Sequence, residues 1–527
     1  MYFEGLVWFD MASDILMGKI SGGQQVQSGD THMKVTVCNL GVLKEVHVTL
    51  KPLTIFIGEN NTGKTWLAYA LAGVLGPYGL EKYIQAYTER QVPEVYESLE
   101  RVIEQVIAEG NATLDLRQFA DDYGEKYFNN VALFARTWMH RFLSTQLVHF
   151  DEMDIVLDLA DSKEQFLQQI RLYARKSSIA IDPKGSLLTI RKSQDDDKLY
   201  IYTVIEEQEE QEEHIGESIP PEEIRERLVG FVSTALHRAL YPQIRLFPTE
   251  RTTLVALRFS ESIVSREQLG MNQKIREALE VLTQELDMRA LIEERSAIRE
   301  AIVPVGSFLS MLRTIFRKGT IQREEREERA QNDPRIKQYM QLAEVLEQDI
   351  LAGNVAFSTP EPDPRREVLF QPAQGVHLEI PIASSMVKEL STLVLYLRYL
   401  AVPGEMLIID EPEMNLHPSA QVKIIEFLAT LANAGLHVLV TSHSPYVVDH
   451  LINLIEASKH QNQDEIVEMF LLERKDAFIA QEKVGVYFFD DDGEVKDILD
   501  QDGIIHWQTF SDVSELLASI HFELYEV

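Results

Sequence analysis

Residues 58–65 read Gly-Glu-Asn-Asn-Thr-Gly-Lys-Thr, a G-x-x-x-x-G-K-T loop set between an apolar, strand-like run at Leu53–Ile57 and a helical stretch opening at Trp66. This loop constrains the fold more than any bulk property, because it needs a strand to launch it and a helix to receive it. Gly58 and Gly63 let backbone N–H groups turn inward onto anionic oxygens, and the helix N-terminus adds its own positive end. Lys64 is placed to reach β and γ phosphates, and the Thr65 hydroxyl suits Mg²⁺. Asn60, Asn61, Thr62 and Trp66 are expected beside them in the nucleotide site, and ATP with Mg²⁺ is the expected ligand.

A second block lies far along the chain. Met406-Leu-Ile-Ile-Asp410-Glu411 is an apolar strand ending in two carboxylates. That placement suits one acid to orient Mg²⁺, here Asp410, and the next to polarise an attacking water, here Glu411. Leu436–Val440 reads as a further buried strand, followed by Ser442 and His443. A lone histidine is usually structural, but one at the carboxyl end of a strand beside Asp410 can sense a γ phosphate. Lys64 and Asp410 are 346 residues apart (410 − 64), whereas Asp410 and His443 are only 33 apart (443 − 410).

The 527 residues suffice for two or more domains. A hydrophobic fraction of 45% with 25% charged residues fits a globular protein. The most apolar helical run, Leu390–Val402, carries Arg398 and is too short to span a bilayer, so no membrane partner is expected. One cysteine, Cys38, excludes an intrachain disulfide, and is expected to be a small buried hydrophobe in a reducing cytoplasm. The net charge of −34 repels nucleic acid unless basic groups are gathered locally, which favours a protein partner.

Residues 1–33 lack the basic and apolar regions of a secretory signal and read as a disordered leader or tag. The fold expected is α/β, with a P-loop nucleotide-binding domain assembled from residues 34–77 and 375–527. Residues 78–374 read as a mainly helical insert carrying a small β-hairpin. Within it, Val95–Ala108 repeats apolar residues at the helical period and stops at Gly110. Ser186–Arg191 and Lys198–Val204 flank the acidic turn Asp195–Asp197, a hairpin pattern. The run Glu206–His214 is read as a solvated face rather than a metal cluster. Glu324–Ala330 and Tyr339–Leu351 look helical, while Asn354–Ser358, Glu367–Phe370 and His377–Ile380 look like strands.

Together the strings GENNTGKT at 58, IIDEPEMNLHP at 408 and VTSHSPYVVDHL at 440 resemble the ATP-binding-cassette type of ATPase in its non-transporter branch. That group includes structural-maintenance-of-chromosomes proteins, RecF-like repair ATPases and overcoming-lysogenization-defect proteins. The resemblance covers about residues 34–76 and 375–490. It implies an ABC-type nucleotide-binding domain with a split sheet, ATP hydrolysis and an ATP-dependent homo-oligomer. It also implies a signature segment that touches the γ phosphate of the opposite subunit, matched here by Ala383–Leu390. The family's Ser-Gly-Gly stands as Ser384-Ser385-Met386, without the glycines that let backbone approach phosphate. Ser384 and Ser385 therefore read either as nucleotide contacts across a dimer or as caps of the helix that follows. Asn415–Pro418 matches the family's loop after the acid pair. Phe247-Pro-Thr-Glu-Arg251 resembles a P-x-x-R element, in which Arg251 is either a phosphate-region arginine or an ordinary surface one.

Some relatives carry a metal-dependent nuclease after the cassette. Here Asp490–Gly493 between two strand-like runs reads as a hairpin turn, and no nuclease is expected in the 38 residues beyond Phe489 (527 − 489). Two functions stay open. One is a switch ATPase controlling a separately encoded protein effector, as in anti-phage or toxin-like systems. The other is a DNA-repair or chromosome-maintenance ATPase that clamps DNA as a dimer. A transporter subunit fits least.

Overall fold

The structure is a computed structural model describing residues 32–92, 94–180, 186–205, 221–256, 259–260, 303–320, 323–358, 365–373, 375–472, 474–499 and 505. The expectations for residues 1–31, for the acidic run 206–214 and for most of the chain after 499 lie outside these residues.

The chain divides into two compact units. One comprises Gly41–Tyr69, Arg141–Thr145 and Arg245–Val527. Its centre is a six-stranded sheet built from β1 (Leu53–Gly58), β2 (Ile244–Phe247), β3 (Met406–Asp410), β4 (His437–Ser442), β5 (Val484–Phe489) and β6 (Val495–Asp497), in the order β6-β5-β1-β4-β3-β2. Strands β5, β1, β4 and β3 run parallel. Every residue of β1, β3 and β4 is buried, as unbroken apolar runs in a covered parallel sheet require. The split sheet is thus real: its first strand comes from the N-terminal block and its neighbours on both sides from the C-terminal one. Strand β6 pairs antiparallel with β5 across the acidic turn, the hairpin expected from Asp490–Gly493.

Helices α1 (Lys64–Leu75), α2 (Ser385–Tyr399), α3 (Pro418–Asn433) and α4 (Pro445–Lys459) accompany these strands. Proline opens α3 and α4 at a position whose N–H would have no helical partner. The core of this unit joins Leu53, Ile55 and Ile57 of β1 with Leu390, Val394 and Leu397 of α2 and Ile424 and Leu428 of α3. The predicted helix at 339–351 is Pro334–Val345 followed by a π-turn, Leu346–Leu351, that ends at Ala352 with φ 52°. Gly353–Phe357, Val368–Pro372 and Leu378–Glu379 form a separate three-stranded sheet.

The other unit comprises Met1–Leu40, Ala70–His140 and Gln146–Ile244. The predicted hairpin is present as Ser186–Lys192 and Lys198–Ile205, but it is the middle of a four-stranded antiparallel sheet flanked by Asn111–Asp115 and Arg175–Ala180. Asn111–Asp115 alternates over only five residues and Arg175–Ala180 is mostly polar, so each carries a weak signal in the sequence. Helices Pro77–Thr88, Glu97–Glu109, Leu116–Phe134, Lys163–Leu172 and Pro221–Leu240 complete the unit. Cys38 is half-buried rather than buried, because in Met33–Leu40 the odd-numbered residues 33, 35 and 37 face inward. No helix among the described residues is long and apolar enough to cross a membrane.

Candidate nucleotide site

Strand register brings the motifs together. Gly58 lies opposite Phe489, Ile57 opposite Ser442, and Asp410 opposite Thr441, so the loop, the acid pair and His443 all follow the carboxyl ends of neighbouring strands. Gly58 has φ 149°, and a Cβ there would stand 2.3 Å from the Phe489 carbonyl oxygen. No other residue fits this turn. Gly63 has φ 100° and would place a Cβ 2.7 Å from Leu43. Asn60 and Asn61 are exposed at the top of the loop, with Asn61 at φ 67°. The buried Thr62 hydroxyl donates to the Glu59 carbonyl at 2.9 Å, closing the loop on itself. Trp66 is half-buried, its indole lying where a Cβ on Gly41 would meet it.

Lys64 is buried, and its ammonium donates to the Gly58 carbonyl at 2.8 Å and to that of Glu59. Burial lowers its pKa, opposed by the carboxylates of Glu411 and Asp410. The Thr65 hydroxyl donates to Asp410 Oδ1 at 3.0 Å. Tyr69, one turn further along α1, donates to Oδ2 at 3.2 Å, and Thr441 donates to Oδ1. Burial pushes the Asp410 carboxyl above its usual range, and the hydroxyl donors of Thr441 and Thr65 pull it back. The cluster is made of oxygens around a buried carboxylate, a donor set suited to a hard cation. Thr65 and Asp410, predicted from distant parts of the chain, are therefore in direct contact.

Glu411 follows with φ 48°, a left-handed conformation uncommon for a residue with a side chain. Its N–H donates to the carbonyl and hydroxyl oxygens of Thr441 at 3.2 and 3.1 Å. His443 Nδ1 lies 3.6 Å from Glu411 Oε1 and 3.8 Å from Glu413 Oε1, an ion-pair spacing too long for a hydrogen bond. The Glu411 carboxylate raises the His443 pKa, and His443 in turn lowers that of Glu411. Glu411 thus favours its charged form, the one a general base needs.

The sequence assigns no role to Glu413 or Glu389 and leaves that of Arg251 open. Glu413 is buried, accepts from the Ser442 hydroxyl at 2.5 Å and from the His443 N–H at 3.0 Å, and has its pKa raised by burial. It fixes the backbone of His443, and Ser442 is committed to that bond rather than to a phosphate. Arg251 is 2% exposed and donates to the carbonyls of Pro248, Asp410 and Glu411 at 2.8, 2.6 and 2.8 Å. Arg251 is thus not an ordinary surface arginine but a buried clamp on the acid pair's backbone, beside the phosphate loop. Its charge is met by Glu389 of α2, itself 1% exposed. Burial brings the Arg251 pKa down to about 10, still charged at neutral pH. The only sequence signal for Glu413 was a third acid in Asp410-Glu411-Pro412-Glu413.

Ser384 and Ser385 lie at the exposed start of α2, and the Ser384 hydroxyl accepts from the Val387 N–H at 3.3 Å. The capping role is therefore occupied. His417 caps α3 in the same way, accepting from the Ser419 N–H at 3.4 Å, and Asn415 before it has φ 63°.

The AAA ATPase domain family matches residues 33–448, most of the chain, and the chain belongs to that family. It is an ATPase with a P-loop α/β fold. A curated relative, "Old nuclease" of Escherichia phage P2, is 39% identical over 59 residues, 11% of this chain and 10% of that protein. The chain thus spans about a tenth of the length of the curated relative it matches. Among solved structures, the Smc head domain with an extended coiled coil bound to the C-terminal domain of ScpA from Pyrococcus furiosus is similar at 13% identity and TM-score 0.35, covering 94% of this chain and all of that one. An SmcHead bound to the C-winged helix domain of ScpA gives 11% identity and TM-score 0.33, covering 89% and 97%.

Proposed function

We propose that this ATPase is a switch in which binding and hydrolysis of magnesium ATP control a separately encoded protein effector, in a bacterial anti-phage or toxin-like system. The contact between Thr65 and Asp410 at 3.0 Å, across 345 residues of sequence, is the observation that carries the site. Lys64 would exchange its loop carbonyls for β and γ phosphate oxygens, to which backbone N–H groups of the loop would also donate. Thr65 and Asp410 would hold Mg²⁺, which when bound would offset the negative charge of the phosphates. Glu411, held ionised beside His443, would take a proton from the attacking water. His443 would report whether the γ phosphate is present.

The acidity of the chain supports a protein partner over nucleic acid, and the motif strings support a stand-alone switch that associates as an ATP-dependent oligomer. Glu411→Gln tests the chemistry. It should bind MgATP with near wild-type affinity while turnover falls by about 10²–10⁴-fold; turnover at the wild-type rate would remove Glu411 as the base. Mass measurement with and without ATP tests association. Co-purification of the neighbouring gene's product at high salt supports effector control, whereas a steep salt dependence of DNA binding would favour a clamp instead.

A further inference from the structure

Strand β2 stops at Phe247, and Pro248 has no N–H with which to extend the ladder. Beyond that point the carbonyls of Asp410 and Glu411 need donors from elsewhere, since buried backbone acceptors are rarely left unpaired. The Arg251 guanidinium supplies them, with Nη1 on Asp410 O and Nη2 on Glu411 O. The Glu411 N–H is meanwhile fixed on Thr441. Both peptide groups flanking Glu411 are thus hydrogen-bonded, and its left-handed φ is imposed by these partners rather than chosen by the residue.

A buried guanidinium needs a buried counter-charge. Glu389 provides it from α2, one turn beyond the exposed Ser384 and Ser385 that begin that helix. We infer that Arg251 is a positioning residue that sets the aim of Glu411 through its backbone, and that Glu389 makes this hold depend on how α2 is seated. A change in the seating of α2 then reaches the hydrolytic carboxylate through two side chains, Glu389 and Arg251. This deepens the switch reading and rests on Glu411 acting as the base.

The test uses the full-length protein, with MgATP binding measured separately from single-turnover hydrolysis. Arg251→Lys keeps the charge but lacks the two-pronged geometry, and Glu389→Gln keeps the shape but lacks the charge. Each is expected to leave the MgATP dissociation constant within about threefold of wild type while the hydrolytic rate falls by about 10–100-fold, the scale of a misplaced catalytic group. The double variant Arg251→Met with Glu389→Leu removes both buried charges and is expected to recover thermal stability but not the rate. Recovery of the rate together with stability would show a purely structural pair and overturn the inference. So would wild-type hydrolysis in Arg251→Lys and Glu389→Gln while Glu411→Gln is inactive. Wild-type hydrolysis in Glu411→Gln would instead overturn the underlying assignment of the base.

Discussion

Both units bury polar groups, but they arrange them differently. At the carboxyl end of the sheet in one unit, Lys64, Asp410, Glu413, Arg251 and Glu389 are buried, and the backbone at Gly58, Asn61, Gly63 and Glu411 has positive φ. The other unit also buries Lys192, met by backbone carbonyls, and Arg225, paired with Glu100, but its tyrosines form a neutral aromatic network. Tyr83 and Tyr96 share a hydrogen bond at 2.8 Å, Tyr127 meets His237 Nδ1 at 2.8 Å, and the rings of Tyr83 and Tyr127 pack edge to face at 5.2 Å. Burial raises the pKa of each of these phenols, keeping them neutral. Charges and strain are costly to keep, and where they coincide with the phosphate loop and the acid pair they mark where chemistry is done. A neutral aromatic network specifies packing.

The contrast can be broken at either end. Lys64→Ala should produce the largest change, weakening MgATP binding more than about 10³-fold, or about 4 kcal/mol, while the thermal midpoint is kept or raised because a buried ammonium is gone. Isothermal titration and thermal denaturation on the same sample check both halves. Tyr127→Ala should do the reverse, lowering stability by about 3–5 kcal/mol with MgATP affinity unchanged in the folded fraction. If Tyr127→Ala weakened binding as strongly as Lys64→Ala, the division of labour would be wrong.

A smaller effect concerns pH. Burial lowers the pKa of His237 from 6.5 to about 4. Between those values the unfolded chain takes up a proton that the folded chain refuses, so stability falls as pH drops through this window, by roughly 3 kcal/mol in all. Urea denaturation between pH 7 and 4 should show this loss in wild type and not in His237→Gln. The smallest change expected is from Asp115→Ala, which removes the cap of Leu116–Phe134, where the Asp115 side chain accepts from the Gln118 N–H at 2.8 Å. It should cost about 1 kcal/mol of stability and leave nucleotide affinity alone.

What could be read from the chain divides along the same line. Residues whose type is demanded by local geometry or by direct chemistry were legible: Gly58, Lys64, Thr65, Asp410 and Glu411 each sit in a short string with one physical explanation. Residues that act through tertiary contact were not. Pro-Thr-Glu-Arg251 is polar enough for any surface turn, and its arginine is buried only because β2 ends beside β3. Glu389 sits in a helix where a charged residue would ordinarily face solvent, and only Arg251 explains its burial. Tyr69 and Thr441 are single residues in apolar stretches, and nothing local marks them as partners of Asp410. The four-stranded sheet was half visible, since its hairpin had a turn signal and its outer strands did not.

On this reading a lysine-bearing loop and an acid pair 346 residues apart (410 − 64) grip one magnesium nucleotide. A double-mutant cycle of Thr65→Ala and Asp410→Asn on ATP affinity, run with Mg²⁺ and again with the metal chelated, tests it most directly. Shared occupancy predicts a coupling of about 1–2 kcal/mol in the presence of Mg²⁺ that disappears without it. Effects that add to within about 0.3 kcal/mol in both conditions would contradict it.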